Sequence, residues 1–125
     1  MNSVNTDATK ALIIIDDDNT FREVLQRRLA QHTDYQIQAY ASSRDALAVD
    51  PPSSTHVVLL DMMLEDESGL DAIIAMKQHF SPAHLIMLTG YASIATTVEA
   101  MRRGATDYIA KPVGLQEHSR SARPD

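Results

Sequence analysis

The chain has 125 residues, 44% of them apolar, and sets 11 Lys and Arg against 17 Asp and Glu for a formal net charge of −6; this is enough for one domain with its own core, too little for two, and too apolar for a disordered segment. The lack of cysteine excludes a disulfide framework and a thiolate metal site, and the acidic balance argues against direct contact with nucleic acid. No apolar run reaches the roughly 18 residues of a membrane span, and the polar opening "MNSVNTDATK" is unlike a signal peptide, so a cytoplasmic protein with no membrane attachment is expected.

Residues 1–9 read as a flexible extension. "ALIII" (11–15) is the first nearly continuous aliphatic run, the pattern of a parallel strand buried on both faces. A helix over about 20–32 follows, with Phe21, Val24, Leu25 and Leu29 at helical spacing and a capping box expected between Thr20 and Glu23. "YQIQAY" (35–40) is a weaker strand. "SSRDALAV" gives a short helix with a Ser cap, stopped by Asp50, Pro51 and Pro52. "THVVLL" (55–60) is the next buried strand, and "SGLDAIIAMKQHF" the next helix, with Leu70, Ile73, Ile74 and Phe80 expected to face inward. "AHLIML" (83–88) is again a strand. "ASIATTVEAMRRG" is a helix with a stripe of Ile94, Val98 and Met101 and a left-handed stop at Gly104. "DYIA" (107–110) closes the sheet, and 113–125 is a polar tail in which no fifth helix is visible.

Strands and helices thus alternate, which predicts a doubly wound α/β fold with five parallel strands and right-handed crossovers, its ligands at the carboxyl ends of the strands. Asp16, Asp17 and Asp18 fall just past the end of the first strand, Asp61 just past the third, Thr89 just past the fourth and Lys111 just past the fifth. Each is one or two strand-helix units from the next, so all reach one rim. Carboxylates gathered there need a hard dication, and an oxygen-only set with open positions suits Mg2+, which shares its remaining positions with a phosphate. A carboxylate nucleophile, a metal and an ammonium suffice in kind for phosphoryl transfer. Asp18, third in the run, is expected near the start of the first helix, where its charge is favourable. The five histidines show no metal-ligand spacing, and the methionines read as core and helix filler.

"LIIIDDDNTF", "VVLLDMMLEDESGLD", "IMLTGYAS" and "GATDYIAKP" together resemble the receiver domain of bacterial two-component response regulators over residues 10–112, and most resemble the redox-responding branch that carries a small helix-turn-helix output domain. The resemblance implies that Asp61 is the phosphoacceptor, that Asp17 binds the metal directly and Asp16 largely through water, and that the Met63 carbonyl completes the protein ligands. Thr89 and Lys111 would hold phosphoryl oxygens, Lys111-Pro112 would be a cis peptide, and Tyr108 would be the aromatic switch that moves with Thr89. A histidine kinase is the implied partner and donor. Glu65 stands where many receivers have proline. Met63 and Tyr91, which would flank the path of an attacking water, imply slow self-dephosphorylation. With no fifth helix, apolar surface on the first and last strands would be exposed, so a homodimer or swapped oligomer is also expected. The rival readings are a receiver-like interaction module that is never phosphorylated, an aspartyl-phosphate hydrolase, which needs an aspartate where Met63 stands, and a flavodoxin-like nucleotide binder, which needs a glycine-rich loop that is absent.

Overall fold

The computed structural model describes residues 10–64, 68–90 and 93–111. These residues form β1 (Ala11–Ile15), α1 (Asn19–His32), β2 (Gln36–Tyr40), α2 (Ser43–Leu47), β3 (Thr55–Asp61), α3 (Gly69–His79), β4 (His84–Thr89), α4 (Ile94–Arg102) and β5 (Asp107–Ala110). Every strand pairing is parallel, and the sheet runs β2-β1-β3-β4-β5. The order reverses between β1 and β3, which is where a doubly wound sheet opens a crevice at its carboxyl edge.

Alternation along the central strands builds the two layers. Ile13, Ile15, Val58, Leu60, Leu85 and Met87 point to one face, where Ile73, Met76 and Phe80 of the α3 region and Ala100 of α4 cover them. Leu12, Ile14, Leu59 and Leu88 point to the other, against Phe21, Leu25 and Leu29 of α1. β1 is buried along its whole length, so the expected exposure of the first strand does not occur. β2 and β5, the weaker strands of the sequence, are the two edges.

Several local expectations need correction. The cap of α1 is Asp18, whose carboxylate accepts the Phe21 amide at 3.0 Å, and Thr20 lies one residue inside the helix. An aspartate placed one residue before the helix wins over the Thr20-Glu23 pattern because it also sets its charge against the positive helix start. Ile74 faces outward, and Ala72 and Met76 are buried instead. The Ile94, Val98 and Met101 stripe lies on the exposed side of α4, which buries only Ala100. Met62, Met76 and Met87 do fill the core, whereas Met63 and Met101 are exposed. Gly104 ends α4 at φ 117°, a region that side-chain-bearing residues avoid. Ser42 caps α2 as expected.

Four helices occur among the described residues. The tail 113–125, where no fifth helix is expected, the extension 1–9, Pro112 of the expected cis peptide, Glu65 and Tyr91 lie outside them. None of the described helices is long and apolar enough to cross a membrane.

Candidate functional site at the carboxyl edge

Two strand ends and two strand exits converge. Asp61 is the last residue of β3 and Thr89 the last of β4, each one position nearer its strand than the sequence pattern suggests. Asp16 and Asp17 follow β1, and Lys111 follows β5. The Lys111 amide donates to the Thr89 carbonyl at 2.8 Å, which fixes where the lysine side chain departs. Thr89 itself is buried.

Oxygens of Asp16, Asp17 and Asp61 lie within 4.8 Å of one another. Asp16 and Asp61 are buried, and Asp17 is half-buried. The Lys111 ammonium sits 2.9 Å from Asp16 Oδ2 and 3.5 Å from Asp61 Oδ1, with the Phe21 ring centroid 4.5 Å away on its other side. Asp16 Oδ2 is buried, and its pairing with Lys111 is poorly aligned as a hydrogen bond.

One ammonium among three carboxylates leaves the site short of positive charge, and the proton affinities record it. Burial, and then the neighbouring Asp16 charge, push the Asp61 carboxyl up from 3.8 to about 6 despite the pull of Lys111 and an amide hydrogen bond from Met63. Burial likewise raises Asp16, outweighing the Asp18 amide and Lys111. Burial alone would lower the lysine, but the combined hydrogen bonding and attraction of Asp16 and Asp61 hold it above its ordinary value. A dication would relieve both raised carboxyls and use the buried Asp16 oxygen. The donor set is all oxygen and partly open, so these residues fit Mg2+ or Ca2+.

Residues that the motifs did not single out complete the frame. The Arg22 guanidinium donates to the Asp16 carbonyl at 2.6 Å, and the Asp18 amide donates to Asp16 Oδ1 at 2.9 Å, so α1 holds the acidic turn from both ends. Gly69 opens α3 directly behind Asp61: its amide donates to the Met62 carbonyl at 2.7 Å, and a Cβ there would lie 2.1 Å from the Asp61 carbonyl oxygen. Asp18 stands at the helix start as its place in the sequence suggests, glycine rules could have flagged Gly69, and nothing in the spacing of Arg22 points to Asp16. Met63 extends its side chain outward, 65% exposed, and its backbone bridges to Ser68. Tyr108 stands apart from the acidic cluster. It is half-buried on β5 and lines an open cleft of about 340 Å³ with Ser93, Ile94, Thr97 and Val98.

Comparison with known proteins agrees with this geometry. The family model described as "Response regulator receiver domain" matches residues 12–122. The photosynthetic apparatus regulatory protein RegA of Rhodobacter capsulatus is 33% identical over 108 residues, which are 86% of this chain and 58% of that protein. The acid tolerance regulatory protein ActR of Rhizobium meliloti (strain 1021) is 36% identical over 108 residues, 86% of this chain and 55% of that protein. The chain therefore spans little more than half the length of these relatives. Among solved structures, a Burkholderia pseudomallei response regulator with a phosphorylated aspartic acid, a calcium ion and citrate superposes with a TM-score of 0.76 at 31% identity, over 91% of this chain and 66% of that one. A CheY-like receiver domain protein from Methanospirillum hungatei JF-1 gives 0.76 at 26% identity, over 92% of this chain and 91% of that one.

Proposed function

This chain belongs to the response regulator receiver domain family, the signalling modules of two-component systems, and from that premise we propose that Asp61 accepts a phosphoryl group from a histidine kinase. The observation that carries the assignment is the position of Asp61: it ends β3 within reach of Asp16 and Asp17, with the Lys111 ammonium 3.5 Å from Oδ1. In the transfer, an Asp61 carboxylate oxygen attacks phosphorus as the P–N bond of the phosphohistidine breaks. An O–P bond forms, and the imidazole leaves and takes up a proton.

Asp16, Asp17, Asp61 and the Met63 carbonyl would hold Mg2+. When bound, Mg2+ supplies neutralisation of the phosphoryl charge. Lys111 exchanges part of its pairing with Asp16 and Asp61 for a phosphoryl oxygen, and the Thr89 hydroxyl donates to another. Thr89 is drawn toward the phosphoryl group, and Tyr108, two register steps back on the neighbouring strand, moves inward into the space it leaves. That movement reshapes the cleft over α4 and β5 and so alters a protein-binding face. In a longer protein of the kind the relatives represent, this face would control transcription, including through pairing of two copies.

Intact mass measurement after incubation with acetyl phosphate tests the assignment. One added phosphoryl group is expected with Mg2+, and none with EDTA or in Asp61→Asn. A native chain that gains no phosphoryl group under these conditions would instead be an unmodified interaction module.

A further inference from the structure

At the opposite end of the sheet, where the strands begin, three rings meet that the phosphoryl site does not use. Tyr35, just before β2, stacks on His56 with ring centroids 5.8 Å apart and planes inclined by 24°. His56 meets His84 edge-on, with centroids 5.5 Å apart and planes at 79°. Regular alternation would send His56 to the same face as Val58 and Leu60, away from His84, which shares its face with Ile86 and Leu88. The pairing of β1 with β3 shifts register there: Ala11 opposes Thr55 and Leu12 opposes Val57, so His56 is the extra residue. An irregularity of this kind re-aims a side chain, and it brings His56 to the face of Tyr35 and His84. Because β3 pairs with β4 from Val57 and His84 onward, two histidines far apart in sequence become neighbours. Sequence spacing gives no sign of this.

We propose that His56 and His84 form a two-imidazole site for a divalent transition ion of the Zn2+, Ni2+ and Cu2+ class, independent of the phosphoacceptor site. The geometry suits the ion. A metal about 2 Å from one nitrogen of each ring, seen at a tetrahedral angle, sets the centroids about 5 Å apart, close to the separation observed. His84 is exposed and His56 half-buried, so an ion can enter and keep water in its remaining positions. The Tyr35 ring holds the plane of His56 and lowers the freedom lost on binding. Imidazole donors select these ions over Mg2+ and Ca2+, which take oxygen. His56 is the second residue of the strand that Asp61 ends, roughly 16 Å away at the rise of a parallel strand, so the two sites bind different ions without sharing ligands.

The test is an NMR titration of the full chain with Ni2+ in excess Mg2+, which keeps the acidic cluster occupied. Ring signals of His56 and His84 are expected to broaden together, at lower Ni2+ than those of His32, His79 and His118. His56→Gln and His84→Gln should each weaken Ni2+ binding by about tenfold or more, at least the loss that removing an outer-shell partner causes. An unchanged amide spectrum away from the replacement would show that each variant folds. Simultaneous broadening of all five histidines, or Ni2+ affinity unchanged in both variants, would overturn the site.

Discussion

The raised proton affinity of Asp61 bears both on the stability of the fold and on its readiness to react as a carboxylate. Its folded carboxyl holds a proton up to a pH of about 6, whereas an unconstrained one releases it near 3.8. Between these values the folded state binds more protons than the unfolded one, so stability falls as pH rises through this window. The loss approaches about 3 kcal/mol at neutral pH by the usual conversion. Metal-free Asp61→Asn should therefore be more stable than the native chain at pH 8 and nearly equal to it at pH 4, as chemical denaturation can measure. Mg2+ should stabilise the native chain more at pH 8 than at pH 5, and EDTA should abolish the difference; equal Mg2+ effects at both values would contradict the assignment. Asp18 makes a second, smaller contribution. Asp18→Ala removes the Phe21 cap and should cost about 1 kcal/mol, while the backbone amide that restrains Asp16 is kept. At Met63, a side chain that cannot orient water predicts slow loss of the phosphoryl group, so Met63→Asn should shorten the lifetime of the phosphorylated form.

At the scale of elements, two glycines separate the packing of the site from the shape of the chain. Gly69→Ala drives a Cβ into the Asp61 carbonyl and Met62 Cα, backbone that cannot yield without displacing Asp61, the proposed phosphoacceptor. Roughly 3 kcal/mol of stability should be lost, together with most phosphorylation. Gly104→Ala is strained by its φ of 117° and meets the movable Lys77 side chain, so about 1–3 kcal/mol should be lost with phosphorylation retained. Loss of labelling in both variants alike would mean that the Gly69 contact has no special role. The same elements show what the sequence discloses. The aliphatic runs named β1, β3 and β4, because burial on both faces leaves an unmistakable pattern, the edge strands β2 and β5 left a weaker one, and strand ends then gather Asp16, Asp17, Asp61 and Lys111 automatically. Helix faces were harder to read. Ile74 and the Ile94, Val98 and Met101 stripe have the spacing of a buried face, but periodicity says only that residues share a side, and neither says what covers it. The His56-His84 pair was illegible because a register shift between strands, not spacing along the chain, creates it.

For the whole molecule, the acidic rim and the α4-β5 face must respond together if phosphorylation is to be communicated. In the proposed switch the connection would run through Thr89, whose carbonyl accepts the Lys111 amide, and through β5, which carries Tyr108 beside the exposed Ile94 and Val98. Thr89→Ala should still accept a phosphoryl group but lack the amide shift changes across α4 that are expected of the native chain on phosphorylation. The most direct measurement is borohydride reduction of the phosphorylated chain, which converts an aspartyl phosphate to homoserine, followed by tandem mass spectrometry. Homoserine at position 61, formed only when Mg2+ was present, is the predicted result; homoserine at 16 or 17, or at no aspartate, would contradict the account.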